Sequence, residues 1–279
     1  MFGKLFKYDF KSNYKWYCIT FAIFLSLSIV MGIFAGSVLK PEQLNFLSDY
    51  PSSTLGFLVF FYLLFLLIFS AACAVFLSNT IIIIRRFYKN VFGREGYLTW
   101  TLPVTPHQIL LSKLLSAILW SLLCTLTMFV GSLLIFGIAL PIAGHSLGEL
   151  FSYLSYIPDI WIWLIKYGFL NLLQIISGIL FFYLVISIGQ LFKKNRIMMA
   201  VLFGFLIWTV LTVLSIFLPT PYSATNFLNL YDYSYDNFYT NLSQVLDFSL
   251  VIRIVFELVK IFGFYFTIHT IVKNKLNLQ

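Results

Sequence analysis

Long apolar runs alternate with short polar gaps along the whole chain. Runs near residues 17–39, 55–84, 108–140, 160–191, 197–218 and 250–272 are each long enough, at about 1.5 Å per helical residue, to cross a hydrocarbon layer of about 30 Å. The second, third and fourth exceed that need, which predicts tilting, bending or extension past the bilayer. The pattern predicts an all-α polytopic membrane protein with six transmembrane helices forming a single membrane domain over residues 1–279. No repeat of fixed period and no low-complexity tract interrupts it.

Ahead of the first run, Lys4, Lys7, Lys11 and Lys15 recur every three or four residues, while Phe2, Phe6 and Phe10 repeat at helical spacing on another face. This predicts an amphipathic helix over 1–16 lying in the cytoplasmic interface. A basic start, an apolar run and Ala35-Gly36-Ser37 together have the outline of a signal peptide. The run is about 23 residues, too long for a signal core, and is read as an uncleaved first span.

Charge then orients the chain. The gaps 1–16, 85–113, 192–196 and 273–279 hold fourteen of the eighteen Lys and Arg, whereas Lys40 and Lys166 belong to the opposite side with seven acids. The positive-inside rule therefore places the N and C termini in the cytoplasm, which requires an even number of spans. On the other side, GHSLGELFSYLSYIPD has apolar residues of its own and dips into or lies along the outer interface. The segment 219–249, rich in Asn and Tyr, is long enough to be an extracellular cap or re-entrant hairpin; the other reading is an aromatic loop resting on the membrane.

Composition narrows the function classes. A chain that is 61% hydrophobic and 10% charged is not a soluble domain. The net charge of +8 does not indicate nucleic acid, because the basic residues lie between apolar runs and not on one soluble face. Cys18, Cys73 and Cys124 sit inside apolar runs without a CxxC, and are read as small packing residues. There is no GxxxxGK[ST] loop for ATP, no HExxH and no GxSxG. His107, His145 and His269 fall in three separate regions, which speaks against a metal site. The chain reads as no enzyme, and no cofactor is expected in it.

One intramembrane constellation of charges remains. Arg253, Glu257 and Lys260 occupy i, i+4 and i+7, and so share one face of the sixth span. Unpaired charges at such depth cost at least about 2.5–3.5 kcal/mol each, so these residues pair or face a wet cavity. Two readings stay open: a polar lining on a substrate path, or an internal salt bridge with snorkelling ends.

The longest polar interruption, residues 85–113, carries Arg85, Arg86, Lys89, Arg94 and Lys113 against Glu95, interleaved with aromatic and leucine side chains and broken by Gly93, Gly96, Pro103 and Pro106. This suits a short amphipathic helix and turn at a membrane surface, or else a solvated basic loop. Within it, Phe92-Gly93-Arg94-Glu95-Gly96-Tyr97-Leu98, then Leu102-Pro103-Val104-Thr105, then Ile109-Leu110-Leu111-Ser112-Lys113 resembles the pattern after the second span of type-2 ATP-binding-cassette (ABC) exporter permeases. The opening MFGKLFKYDFKSNYKWY is similar to the basic leader of bacterial permeases of this class. The resemblance covers the six-span layout and is specific over about 45 residues.

The resemblance implies a transmembrane permease subunit of the bacterial plasma membrane, embedded in lipid. It would pair with a second, identical or sister permease and dock cytoplasmic ABC ATPase subunits that hold ATP and magnesium. The elbow would supply the coupling helix, assigning contact with the ATPase to Arg94, Glu95, Tyr97, Leu98, Trp100 and Pro103, with Lys113 closing the elbow, and 219–249 would form the external cap. The expected cargo is amphipathic, with an antimicrobial peptide or lantibiotic first, then drugs and lipid-linked molecules. The alternatives are a non-transporting sensor or immunity protein that binds a peptide at its external loops, and a passive channel, for which no ring of pore-lining polar residues is apparent.

Overall fold

A chain segment without water must bond its own backbone, so long apolar runs become helices. In the computed structural model, residues 2–38, 40, 51–93, 105–146, 148, 152, 160–192, 194–218 and 235–274 are described. They form α1 (Phe2–Val38), α2 (Pro51–Phe87), α3 (Pro106–Ile142), α4 (Ile160–Gly189), α5 (Arg196–Ile216) and α6 (Tyr235–Asn274). No strand occurs among the described residues. Among the described residues, five stretches are long and apolar enough to cross a membrane: Tyr14–Val38, Tyr62–Phe92, Pro106–Ile142, Trp161–Gly189 and Arg196–Ile216. This is the make-up of a multi-pass helical membrane protein. The sixth apolar run lies in α6, which is not among the five and carries Arg253, Glu257 and Lys260 near its middle.

Two helices differ from the sequence expectation. The segment 1–16 and the first run form one helix with no break near residue 16, because no Gly or Pro stands between Lys4 and Met31 to interrupt the backbone bonding. Likewise α6 begins at Tyr235, so the later part of the segment 219–249 is helix continuous with the sixth run; residues 219–234 lie outside the described residues.

The helices group into two compact units, Met1–Ile83 with Leu115–Trp161 and Ile84–Leu114 with Ile162–Gln279. In the first, α1 and α3 lie side by side and parallel, since their contacts advance together along both. Phe10 and Tyr17 stack on Trp120 with ring centroids 4.6 and 4.0 Å away. Farther along, Gly131 faces Phe24 and Ser28, Gly32 faces Ile138, and Gly36 faces Ala139 and Ile142. A Cβ on Gly36 would meet Ala139 O and Ile142 Cβ at 2.7 Å, so this approach needs glycine.

A polar rung ties α2 into the pair. The Tyr17 hydroxyl donates to Asn79 Oδ1 at 2.8 Å, and Asn79 Nδ2 donates to Ser121 Oγ at 3.1 Å. Each buried group thereby finds a partner on a neighbouring helix, where in lipid there is no water to substitute. Cys124 is buried in this core as expected of a packing thiol, but Cys18 and Cys73 are exposed on the outside of their helices.

In the second unit, α4 and α5 meet through small residues. A Cβ on Gly189 would stand 2.6 Å from Ala200 Cβ, and Gly204 faces the methyl groups of Val185. The turn between them uses Asn195 at φ 53°, a left-handed conformation that Asn tolerates better than most residues. Arg196 then closes the turn with Nε donating to Phe192 O at 3.2 Å and Nη1 to Gln190 Oε1 at 3.3 Å.

Gly36→Leu is expected to destabilise the detergent-solubilised protein by about 1–3 kcal/mol through overpacking. Gly137→Ala, on the same helix as Ile138 but with nothing within 4 Å of its added Cβ, should leave thermal unfolding unchanged or slightly raised. Equal losses in both variants would show that the α1–α3 approach is not the sensitive contact.

Candidate functional site

The charged face of α6 is organised around one carboxylate. Glu257 is buried, and both its oxygens are engaged: Lys260 Nζ donates to Oε1 at 2.7 Å, and Ser177 Oγ on α4 donates to Oε2 at 2.6 Å. Lys260, one helical turn on, also stands 4.9 Å from the centre of the Phe256 ring, so its charge has a carboxylate and a π face. Arg253 lies one turn on the other side. Its Nε is buried without a hydrogen-bond partner, so the ion pair of this trio runs between Glu257 and Lys260 and leaves Arg253 outside it.

All three charges line one cavity of about 540 Å³ built from α4, α5 and α6. Its polar wall adds Gln174 and Ser177 from α4 and Thr212 and Ser215 from α5. Its apolar wall is largely aromatic, with Phe181, Trp208, Phe256 and Phe264. That volume and mixture are typical of a small-ligand site, in which apolar walls give area and a few polar groups fix orientation.

The elbow is described only at its flanks. Arg94, Glu95, Tyr97, Leu98, Trp100 and Pro103 lie outside the described residues. Before them, α2 widens into a π-turn at Tyr88–Phe92, with Gly93 N–H donating to Tyr88 O at 2.9 Å. A Cβ on Gly93 would meet Lys89 O at 2.8 Å, which explains the glycine that ends this turn. After them, Pro106 occupies the first position of α3, and Gln108 Oε1 accepts from the Thr105 N–H at 3.3 Å, one half of a capping box.

Both flanks rest on Tyr183 of α4. Phe87 stacks on its ring at 3.8 Å and 10°, and its hydroxyl donates to the carbonyl of Lys113 at 3.3 Å. Phe87, Tyr183 and Lys113 are all buried. No family model, no curated protein and no solved structure matches this chain. The geometry therefore stands by itself as the basis for a functional reading.

The histidines need a correction. Sequence separates His107 from His269, but the structure stacks their rings at 3.8 Å, with His107 Nδ1 3.0 Å from the Tyr265 hydroxyl. The start of α3 and the last turns of α6 are therefore neighbours, a fact that spacing of 162 positions conceals. Among the described residues, no three His, Cys, Asp or Glu side chains gather as metal ligands would. Sequence reasoning also passed over Ser177, Tyr183 and Thr212, which look like ordinary residues of apolar helices. Only the Thr-x-x-Gln spacing at Thr105–Gln108 carried a readable local signal.

Glu257→Leu is expected to cost about 3–5 kcal/mol by stranding Lys260, whereas Glu257→Leu with Lys260→Leu should recover most of that loss. Ser177→Ala should cost less, about 1.5–3 kcal/mol, as one hydrogen bond to a charged acceptor is lost. Chemical unfolding in a fixed detergent measures all three; a double variant no more stable than the single one would count against the pair as the source.

Proposed function

We propose that this chain is the transmembrane permease subunit of an ATP-driven exporter of the type-2 ABC class, resident in the bacterial plasma membrane, with both termini cytoplasmic and α6 as its sixth span. A separate cytoplasmic ATPase supplies energy, a second permease chain completes the channel, and the cargo is amphipathic. The observation that carries this reading is the attachment of the elbow to the helices that build the cavity. The flanks of the elbow hold Tyr183 on α4, and the start of α3 meets Tyr265 and His269 on α6. These same helices present Ser177 and the Glu257–Lys260 pair to the cavity.

The distances suit mechanical coupling. Ser177 and Tyr183 are about 9 Å apart along α4, and Lys260 and Tyr265 about 7.5 Å apart along α6. An ATPase that pulls or pushes the elbow in one nucleotide state acts on both helices at once, and the stacked Phe87–Tyr183 rings convey the displacement. For ATP to favour one membrane conformation, the contacts at the elbow must differ between states. The π-turn at its entry suits such a role, since a π-turn is a local irregularity that concentrates at functional points of helices.

The cargo path on this reading passes the cavity, where aromatic walls accept the apolar part and the charged face of α6 the polar part. Small-molecule drugs, antimicrobial peptides and lipid-linked molecules all meet that description. A sensor or immunity protein would have no use for an elbow joined to the cavity helices.

The first test is mass-spectrometric identification of what co-purifies with the tagged chain in mild detergent. An ABC ATPase is expected with wild type and lost with Glu95→Arg, together with ATP-dependent transport; a solitary chain would overturn the reading. Tyr183→Ala separates docking from transmission: the ATPase should still be recovered while transport falls at least about tenfold, the equivalent of about 1.4 kcal/mol in coupling.

A further inference from the structure

Among the described residues, two cations and one carboxylate line the cavity between α4, α5 and α6, and each oxygen of the carboxylate already accepts a hydrogen bond, from Lys260 and from Ser177. The remaining positive charge belongs to Arg253, whose Nε is buried without a hydrogen-bond partner. Arg253 as a residue is half-buried, and no described side chain of the cavity wall pairs with its guanidinium. An anion would supply that pairing, since the planar guanidinium matches a carboxylate or phosphate through two parallel hydrogen bonds.

The rest of the wall says what is attached to that anion. Arg253 and Phe264 are separated by about 16 Å along α6, so the cavity is elongated along that helix. From the charged face it continues past Phe256 and Phe181 to Phe264, with Trp208 of α5 opposite. An oxyanion at Arg253 would leave an apolar tail against these rings. Thr212 and Ser215 stand on the same wall, their hydroxyls donating to Trp208 O at 2.8 Å and Thr212 O at 2.7 Å on their own helix, so Arg253 is the donor that an oxyanion would meet there. A cationic ligand finds the reverse: the charge of its natural partner Glu257 is already paired with Lys260 at 2.7 Å.

We propose that this cavity is a binding site for an anionic amphiphile, a phosphate or carboxylate headgroup held by Arg253 with its apolar chain on the aromatic wall. As a statement about cargo it rests on the exporter reading, and it orders the candidate cargoes: anionic, lipid-like molecules ahead of cationic peptides. As a statement about binding it does not depend on any ATPase. Bilayer phospholipid and a free amphiphile share this chemistry, and they are separable by experiment.

The test uses the full chain alone in a neutral maltoside detergent, with dodecyl phosphate as the probe and dodecyltrimethylammonium as its cationic counterpart. Thermal stabilisation that saturates with dodecyl phosphate and is absent with the cation is expected. Arg253→Gln should weaken the apparent Kd at least tenfold and Arg253→Lys less, because a point charge replaces the fork. Thr212→Trp, which fills the cavity from α5 and leaves Arg253 in place, should abolish the effect and guards against a folding defect in the arginine variants. In nanodiscs, competition by phosphatidylglycerol against dodecyl phosphate identifies a bilayer lipid as the occupant; lack of competition identifies a free amphiphile. Equal affinity in wild type, Arg253→Gln and Thr212→Trp, or stronger binding of the cation, would overturn the proposal. Since no ATPase is present, failure here leaves ATPase co-purification standing, and failure of co-purification leaves this binding intact.

Discussion

A carboxylate held among apolar helices must be neutralised where it stands, and the second unit is built around meeting that demand for Glu257. Lys260 supplies the charge and Ser177 the second donor. The first comes from the same helix and is available as soon as α6 forms. The second comes from α4, so the hydrogen bond fixes the rotation of one helix against the other in a way that hydrophobic contact does not. Any arrangement that turns Ser177 away leaves one oxygen of the carboxylate without its donor. The pair is thus less a source of net stability than a determinant of which packing is allowed.

The same helix, two turns on, meets a different requirement. Tyr183 has an aromatic face for Phe87 and a hydroxyl for the Lys113 carbonyl, and it uses both. A phenylalanine would offer the face alone, and a serine the hydroxyl alone. One amphipathic side chain therefore locates two chain segments that approach from opposite ends of the elbow. Because α4 is a single helix between Ser177 and Tyr183, a displacement at one of these residues is felt at the other. Helices are stiff along their axis, and this stiffness joins the elbow flanks to the cavity wall.

Hydropathy made the helices legible but not their ends. The apolar runs mark where lipid is tolerated, whereas a helix continues until something stops its backbone. Tyr235–Ser249 contains neither Gly nor Pro, so α6 extends through residues polar enough to have been read as a loop. The same rule joins the basic leader to the first run in α1. The site was legible to the extent that charge is conspicuous in an apolar run: Arg253, Glu257 and Lys260 stand out by composition alone. Ser177 does not, being one of many serines in helices that could equally have bonded only to their own backbone, as Ser187 does to Tyr183 O. Its partner is 80 positions away. His107 and His269 were missed for the same reason, since sequence distance carries no information about which helix ends become neighbours.

The parallel arrangement of α1 and α3 bears on how the chain is made. Neighbours in space, they are separated by all of α2, so α1 leaves the ribosome long before the residues that close on it, and holds its place in the bilayer by its own apolar length. Asn79 arrives next and receives the Tyr17 hydroxyl; Ser121 follows and receives the Asn79 amide. The glycine contacts at Gly32 and Gly36 come last, when Ile138 and Ile142 have been synthesised. The order of translation is thus also the order in which this unit can zip shut, from the Tyr17 end towards Val38.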